Sequence, residues 1–408
     1  MVAGPATGLP QRAPAPVADA GVVLPGDQST QPDAGPIIGA EAAIELAAGH
    51  PAYRNWRGEL HAVRAWESVA LCNPVAIERE ATLALEWLSE DQVAVRITAQ
   101  CALGVAHQFS GDRVAAKLVY GEVVPMAESS GNRMFTIVAC IALGHLQEDD
   151  NHLHLAARTY GRALQVLGDQ PHLVACEVHL GLARIHYQWN DLDAASMHAE
   201  RSSQLAALLE CDSALGADTL RAQILLARAE TDAALSLLTQ ASTAAQTRNE
   251  QGGRLAIAEA QVQALLRTGE VIAAGQIAHT QALPLAQAWV LLARGQALQA
   301  HECLIEFLDA SRSTAPVSEI LRALLLDALA LDAYDPSEAA LALLEKAMAL
   351  AEPQGCVRAF VDLGGPMQRL LIKATHGPRP RYTAMLLEAM QAQLAAMVPT
   401  APPPEAAD

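Results

Sequence analysis

One short alanine-headed phrase returns along this chain and constrains its fold more than any other feature. It consists of an Ala, an aromatic residue or Leu four positions on, and a small residue three after that. Four copies are clear: Ala116-Tyr120-Val123, Ala156-Tyr160-Ala163, Ala234-Leu238-Ala241 and Ala340-Leu344-Ala347. Ala195-Ala199-Ser202 fills the same phase in weaker form, and Ala274 and Ala300 head two degenerate copies. Successive heads are about 40 residues apart, with one shortened step between Ala274 and Ala300. Self-similarity at such a period marks a stack of supersecondary units, none of which buries its apolar face without a neighbour.

Leu-Gly pairs precede the clearest copies, at Leu103-Gly104 and Leu143-Gly144, with the Ala twelve and the Tyr sixteen residues after the Gly. That is tetratricopeptide spacing. The Gly lets the first helix of a hairpin approach the second, the small Ala sits at the crossing, and the aromatic fills the gap against the next repeat. Leu180-Gly181 continues the series one residue out of phase. Polar breaks recur at Ser110-Gly111-Asp112, Glu148-Asp149-Asp150 and Trp189-Asn190-Asp191, residues suited to turns and caps. A β-rich fold is excluded by apolar spacing of i, i+3, i+4 and i+7, as in Val174, Val178, Gly181, Leu182 and Ile185. The expectation is an all-α chain of TPR-like helix hairpins stacked into a right-handed superhelical solenoid.

Half of the 408 residues are apolar but only 4% are aromatic, so Ala and Leu must build the core. The formal net charge is -18, with three lysines (Lys117, Lys346 and Lys373) and no basic stripe. Such a surface repels phosphate backbones, which argues against direct nucleic-acid binding. The seven cysteines are scattered without C-x-x-C pairs; Cys101, Cys140 and Cys176 sit just before repeat glycines and read as small core residues in a reducing compartment. Without an eighteen-residue apolar run or a secretory leader pattern, the expectation is a cytoplasmic chain with no membrane partner.

Residues 1–45 are Pro/Ala/Gly-rich without helical period and are expected to be a disordered leader; 46–375 form the repeat domain, 376–398 a C-terminal helix and 399–408 a disordered tail. Large aromatics at Tyr53, Trp56, Trp66 and Trp87 suit a capping hairpin, and the shortened step predicts a truncated helix pair around Pro284. Catalytic and phosphate-binding motifs are missing: there is no G-x-x-x-x-G-K-[ST], G-x-S-x-G, H-E-x-x-H or dinucleotide fingerprint. The chain is therefore expected not to be an enzyme and to need no cofactor. His172, His179 and His186 recur every seven residues along one predicted helix. That spacing separates them by about 10 Å, too far to share one metal ion, so no metal site is expected.

Residues from about 52 to 375 resemble the helical-repeat sensor region of the large ATP-binding LuxR-type transcriptional regulators, the MalT-like group. The resemblance lies in Arg57-Gly58-Glu59-Leu60, Leu103-Gly104-Val105-Ala106-His107, Asn190-Asp191-Leu192-Asp193-Ala194-Ala195, and the closing run from Ala347 to Pro353 with Gly355, Val357-Arg358-Ala359-Phe360, Asp362 and Gly365-Pro366. It implies a non-catalytic sensor or interaction module, here without the group's ATPase and helix-turn-helix domains. A fragment of such a regulator and a stand-alone scaffold both remain open. The partner is either a protein or a small-molecule effector. Tetratricopeptide phase places Gln108, His145, Glu148, His186 and Gln223 towards the concave groove as candidate binding residues.

Overall fold

The computed structural model describes residues 35–168, 172–209, 214–248, 251–311, 314–335 and 338–397. The helices are, in chain order, α1 (Gly35–Leu46), α2 (Tyr53–Ala70), α3 (Pro74–Trp87), α4 (Val93–Phe109), α5 (Arg113–Ser129), α6 (Arg133–Asp149), α7 (Leu153–Leu167), α8 (Ala175–Gln188), α9 (Leu192–Leu209) and α10 (Ala214–Ala227). They continue as α11 (Thr231–Arg248), α12 (Gln251–Thr268), α13 (Val271–Thr280), α14 (Pro284–Ala293), α15 (Ala297–Ser311), α16 (Val317–Tyr334), α17 (Glu338–Ala351), α18 (Arg358–Val361), α19 (Gly364–Lys373) and α20 (Pro380–Met397). No strand occurs among the described residues. The chain divides into two units, residues 1–119 and 120–408.

The first unit has a core of Ala65 from α2, Ile77 and Ala81 from α3, and Ala102, Val105 and Ala106 from α4. Helix α3 starts sharply because Asn73 accepts a hydrogen bond from the Ala76 amide at 3.2 Å and Pro74 occupies the first turn. Inside it, His61 and Glu80 are buried as a pair at 2.7 Å. The expected leader 1–45 contains helix α1, a segment without helical apolar period that is instead tied down by charge: Glu41 meets Arg64 at 2.6 Å and Glu45 meets Arg57 at 2.5 Å. Residues 1–34 and the expected tail 399–408 lie outside the described residues.

In the second unit each helix packs on its chain neighbour from α6 to α17, and the first helices of adjacent hairpins also touch, as in α6 with α8 and α10 with α12. The recurrent phrase is buried throughout: Ala156, Tyr160, Ala163, Ala234, Leu238, Ala340, Leu344 and Ala347 are all fully buried. The Leu238 copy shows why. Ala234, Leu238, Ala241 and Ala245 of α11 share one core with Leu215, Ala222 and Leu226 of α10 and with Ile257, Ala260 and Ala264 of α12. Each second helix therefore joins its own hairpin to the next, and burying each such Leu stabilises the stack by roughly 1.5–3 kcal/mol.

Tyr160 fills the same place between α6 and α8. A Cβ added at Gly144 would lie 2.5 Å from its ring, and one at Gly181 would lie 2.4 Å from it. Both glycines are required by close approach, and the phenol is fixed by donating to Glu148. The turn after α6 falls at Asp150-Asn151, one or two residues later than the Glu148-Asp149-Asp150 break read from sequence, whereas Trp189-Asn190-Asp191 breaks the helices as read. Asn151 and Asn190 adopt left-handed backbone (φ 58° and 62°), and Asp191 caps α9 by accepting from the Ala194 amide at 3.2 Å. The shortened step corresponds to α13 and α14, only 10 residues each. Cys101, Cys140 and Cys176 are fully buried, and burial pushes the Cys140 thiol up to about 11. None of the described helices is long and apolar enough to cross a membrane.

Candidate functional site

After α17 the helical repeat stops. Pro353 sits in a single 3₁₀ turn, Glu352–Gln354, and Gly355 takes left-handed backbone at φ 67°. The chain then enters α18, which packs on α8 and α16, while α16 itself reaches across to α6. Residues 350–363 are thus seated against the turn ends of hairpins far earlier in sequence.

The contacts are of two kinds. The first hold main chain. Asn151 Nδ2 donates to the Leu350 carbonyl at 3.0 Å, Trp189 Nε1 donates to the Gln354 carbonyl at 2.8 Å, and the Gln188 carbonyl accepts from the Val357 amide at 2.7 Å. A Cβ at position 355 would touch Trp189 Cδ1 at 3.4 Å, an ordinary contact, so it is the left-handed backbone that favours Gly there. The second kind holds one carboxylate. Asp362 accepts from the Tyr187 hydroxyl at 2.8 Å and from Arg267 Nη2 at 2.9 Å, and also from Arg358 one helical turn before it. Arg267 is itself oriented by donating through Nη1 to the Leu226 carbonyl at 2.6 Å.

Arg358 is nearly inaccessible, with 1% of its surface exposed. Its guanidinium lies 5.2 Å from the Tyr187 ring centre and donates to Asn190 Oδ1 at 3.2 Å and to Gln393 Oε1 at 2.8 Å. Burial works against that charge, but Tyr187 and Asp362 outweigh it, so the Arg358 pKa is raised. Burial, reinforced by Asp362, likewise pushes the Tyr187 phenol above its usual range, which keeps it a hydrogen-bond donor. Phe360 is fully buried and meets Tyr382 of α20 edge-on at 5.8 Å.

The profile of the MalT-like TPR region matches residues 58–376. This chain belongs to the MalT-like TPR family. Among solved structures it is similar to the Rap protein complexed with Competence and Sporulation Factor, with a TM-score of 0.60, 14% identity, and coverage of 84% of this chain and 100% of that one. It is also similar to the Rap conjugation gene regulator of the plasmid pLS20 in complex with the Phr* peptide, with a TM-score of 0.52, 12% identity, and coverage of 83% and 95%. At these identities the likeness is one of fold.

Within this MalT-like TPR region, the residues nominated from repeat phase occupy separate places. Glu148 and His145 lie together on α6. Glu148 accepts from Arg184 at 2.8 and 3.1 Å and from Tyr160, while His145 stands edge-on to Tyr160 with its Nε2 3.8 Å from Glu177. They form a polar network that fixes the Tyr160 joint. His186 is 3.3 Å from Asp191 and packs on Trp189 and His198. Gln223 is half-buried on α10, and Gln108 is buried on α4 in the first unit. The bonds from the repeats to residues 350–363 come instead from Asn151, Tyr187, Gln188, Trp189, Asn190 and Arg267. Two of these, Trp189 and Asn190, belong to the turn read from sequence as a polar break between helices, and Asn190 also opens the family-like phrase.

The histidine spacing needs one correction. His172 precedes α8, so only His179 and His186 share that helix; His198 of α9 stands beside both, with ring centres 5.2 and 5.5 Å away. Burial, then the neighbouring charges of His198 and Arg201, hold His179 down to about 4. Among the described residues no group of three or more His, Cys, Asp or Glu side chains is arranged to hold a metal ion.

Proposed function

We propose that this MalT-like TPR region is a binding module for a peptide segment of a protein partner, serving as the sensing part of a LuxR/MalT-type transcriptional regulator. The observation that carries this reading is the way residues 350–363 are held. Turn-end residues of earlier hairpins satisfy one carbonyl at the end of α17 and then main-chain groups and one carboxylate of the non-repeat segment that follows, which is how a groove recognises a peptide. The Rap protein solved with the Phr* peptide, similar in fold, supports the same class of partner. Lining chemistry of this kind positions and does not transform, so the role is recognition without catalysis.

The test is an array of twelve-residue peptides probed with the purified chain and with Arg267→Ala. Retention of a subset by the wild type, lost in the variant, supports the reading; no retention, or retention indifferent to Arg267, refutes it.

A second reading, sensing of a small effector, rests on a cleft of about 270 Å³ between α11, α12 and α13, lined by Ser242, Gln246, Arg254, Gln261, Gln276 and Thr280. Its amides and hydroxyls suit a small polar molecule. A saturable rise in thermal midpoint with one metabolite, abolished by Gln261→Leu, would support this reading in place of the first.

A further inference from the structure

We propose that the surface covered by residues 350–363 is a docking site for an acidic peptide, and that this segment is its resident occupant, displaced when such a peptide arrives. The proposal rests on the peptide-binding reading above and adds the partner's chemistry and the regulation of the site.

The repeats supply a defined receptor. Asn151 Nδ2 and Trp189 Nε1 are donors for two peptide carbonyls, the Gln188 carbonyl is an acceptor for one peptide N–H, and Tyr187 with Arg267 form a seat for one carboxylate. Arg358 belongs to the occupant and not to the receptor. The bonds to main chain are indifferent to sequence, so specificity lies in the Arg267–Tyr187 seat for a carboxylate and in Asn190 with the Tyr187 ring, which receive the Arg358 guanidinium. An arginine and a phenol hydroxyl left without their carboxylate in a largely buried site would be poorly solvated, so an incoming peptide must bring an acidic side chain of its own. The resident segment also defines spacing: its bonded amide is Val357 and its acid is Asp362, five residues further on.

Two features make the occupant exchangeable. Beyond Leu350 and Ala351, which end α17, it is built from a 3₁₀ turn and a four-residue helix, lengths that do not persist alone in water. Two of its buried polar atoms, Gln354 Oε1 and Arg358 Nε, find no partner among the described residues, whereas water would supply one on release. Helix α20 packs on α18 and α19 and holds the segment through Tyr382, which donates to the Cys356 carbonyl, and through Gln393. Release of the segment would therefore take α18, α19 and α20 with it and break the Lys373–Asp332 and Arg379–Glu345 ion pairs to α16 and α17.

The probe is a fluorescein-labelled peptide with the sequence of residues 350–365, carrying Ser in place of Cys356, titrated against the full chain by anisotropy. Asp362→Asn weakens the resident segment, so this variant should bind the peptide at least tenfold more tightly than the wild type. Adding Arg267→Ala should remove that binding, and a peptide with Asn in place of Asp362 should bind at least tenfold more weakly. No saturable binding to Asp362→Asn, or equal binding of the Asp and Asn peptides, overturns the proposal. In the wild-type chain, saturating peptide should accelerate hydrogen exchange of residues 350–363, and unchanged exchange at saturation overturns the proposal without reference to any variant. If array peptides bind the chain while exchange in 350–363 stays unchanged, the occupant idea falls and the peptide-binding reading stands; if no peptide of any sequence binds, both fall.

Discussion

Replacing Gly181 by Ala tests the repeat joint at atomic detail. Removing a helical Gly ordinarily stabilises a helix by about 0.5–1 kcal/mol, because Ala has less backbone freedom to lose. Here the added methyl would stand 2.4 Å from the Tyr160 ring. The ring cannot retreat, since Gly144 closes its other side, where a Cβ would lie 2.5 Å away, and its hydroxyl is held by Glu148. Overpacking of a core costs about 1–3 kcal/mol, and the pinned ring places the cost in the upper part of that range. Subtracting the propensity gain leaves a net loss of about 1–2 kcal/mol. Gly161, one residue from Tyr160 on the same helix, is the internal control: a Cβ there meets nothing within 4 Å, so Gly161→Ala should stabilise by about 0.5–1 kcal/mol. Tyr160→Leu, which installs the residue that the phrase uses at Leu238 and Leu344, should relieve the clash. In urea denaturation followed by circular dichroism, Gly181→Ala with Tyr160→Leu should be less destabilised than the sum of the single variants by at least about 1 kcal/mol. Additivity within about 0.5 kcal/mol, or a Gly181→Ala variant as stable as wild type, would refute the close-approach argument.

Other perturbations probe the seated segment and the histidines. Arg267→Ala removes a partner from the half of the Asp362 seat supplied by the repeats, where both side chains are about 15% exposed (14% and 16%), and should cost about 2–4 kcal/mol by urea denaturation. Trp189→Phe keeps the ring but leaves the Gln354 carbonyl without its donor, a loss of about 1–3 kcal/mol in the same assay. His179 is held down to about 4, so between the ordinary histidine pKa of about 6.5 and that value the unfolded chain binds the extra proton. Stability should therefore fall as pH drops through that window, and thermal midpoints at pH 7 and pH 5 should differ less in His179→Gln than in wild type. An equal difference in both would remove His179 as a cause.

The hairpin stack was legible in sequence because its requirements are local. A helix crossing needs a small residue, a close approach needs Gly, and a turn needs Asn, Asp or Gly, so Ala156, Gly144 and Asn190 each announce their places. Helix α1 was not legible, since it is held by Glu41 and Glu45 reaching Arg64 and Arg57, and carries no apolar period of its own. The seat of residues 350–363 was hidden for another reason. Asn151 meets Leu350, Tyr187 meets Asp362 and Trp189 meets Gln354 across intervals of 199, 175 and 165 residues. Only the curl of the second unit brings these pairs together, and no spacing rule in one hairpin encodes it. A signal was nevertheless present. Arg358 lies in the apolar phrase Val357-Arg358-Ala359-Phe360 just after a Pro and a Gly, a pattern that places a buried cation outside the repeat and demands a carboxylate partner. Repeat phase nominated residues facing the groove near α6 and α8, whereas the segment is gripped by the turns that follow those helices.

The central claim is that the turn ends of the repeats hold a peptide-like segment, and hydrogen exchange of the wild-type chain read by mass spectrometry tests it most directly. The Val357 amide bonds to the Gln188 carbonyl, so peptides covering residues 352–363 should exchange well below the rate of an unstructured peptide. Exchange of 352–363 at the rate of an unstructured peptide, with α8 still protected, would contradict the account.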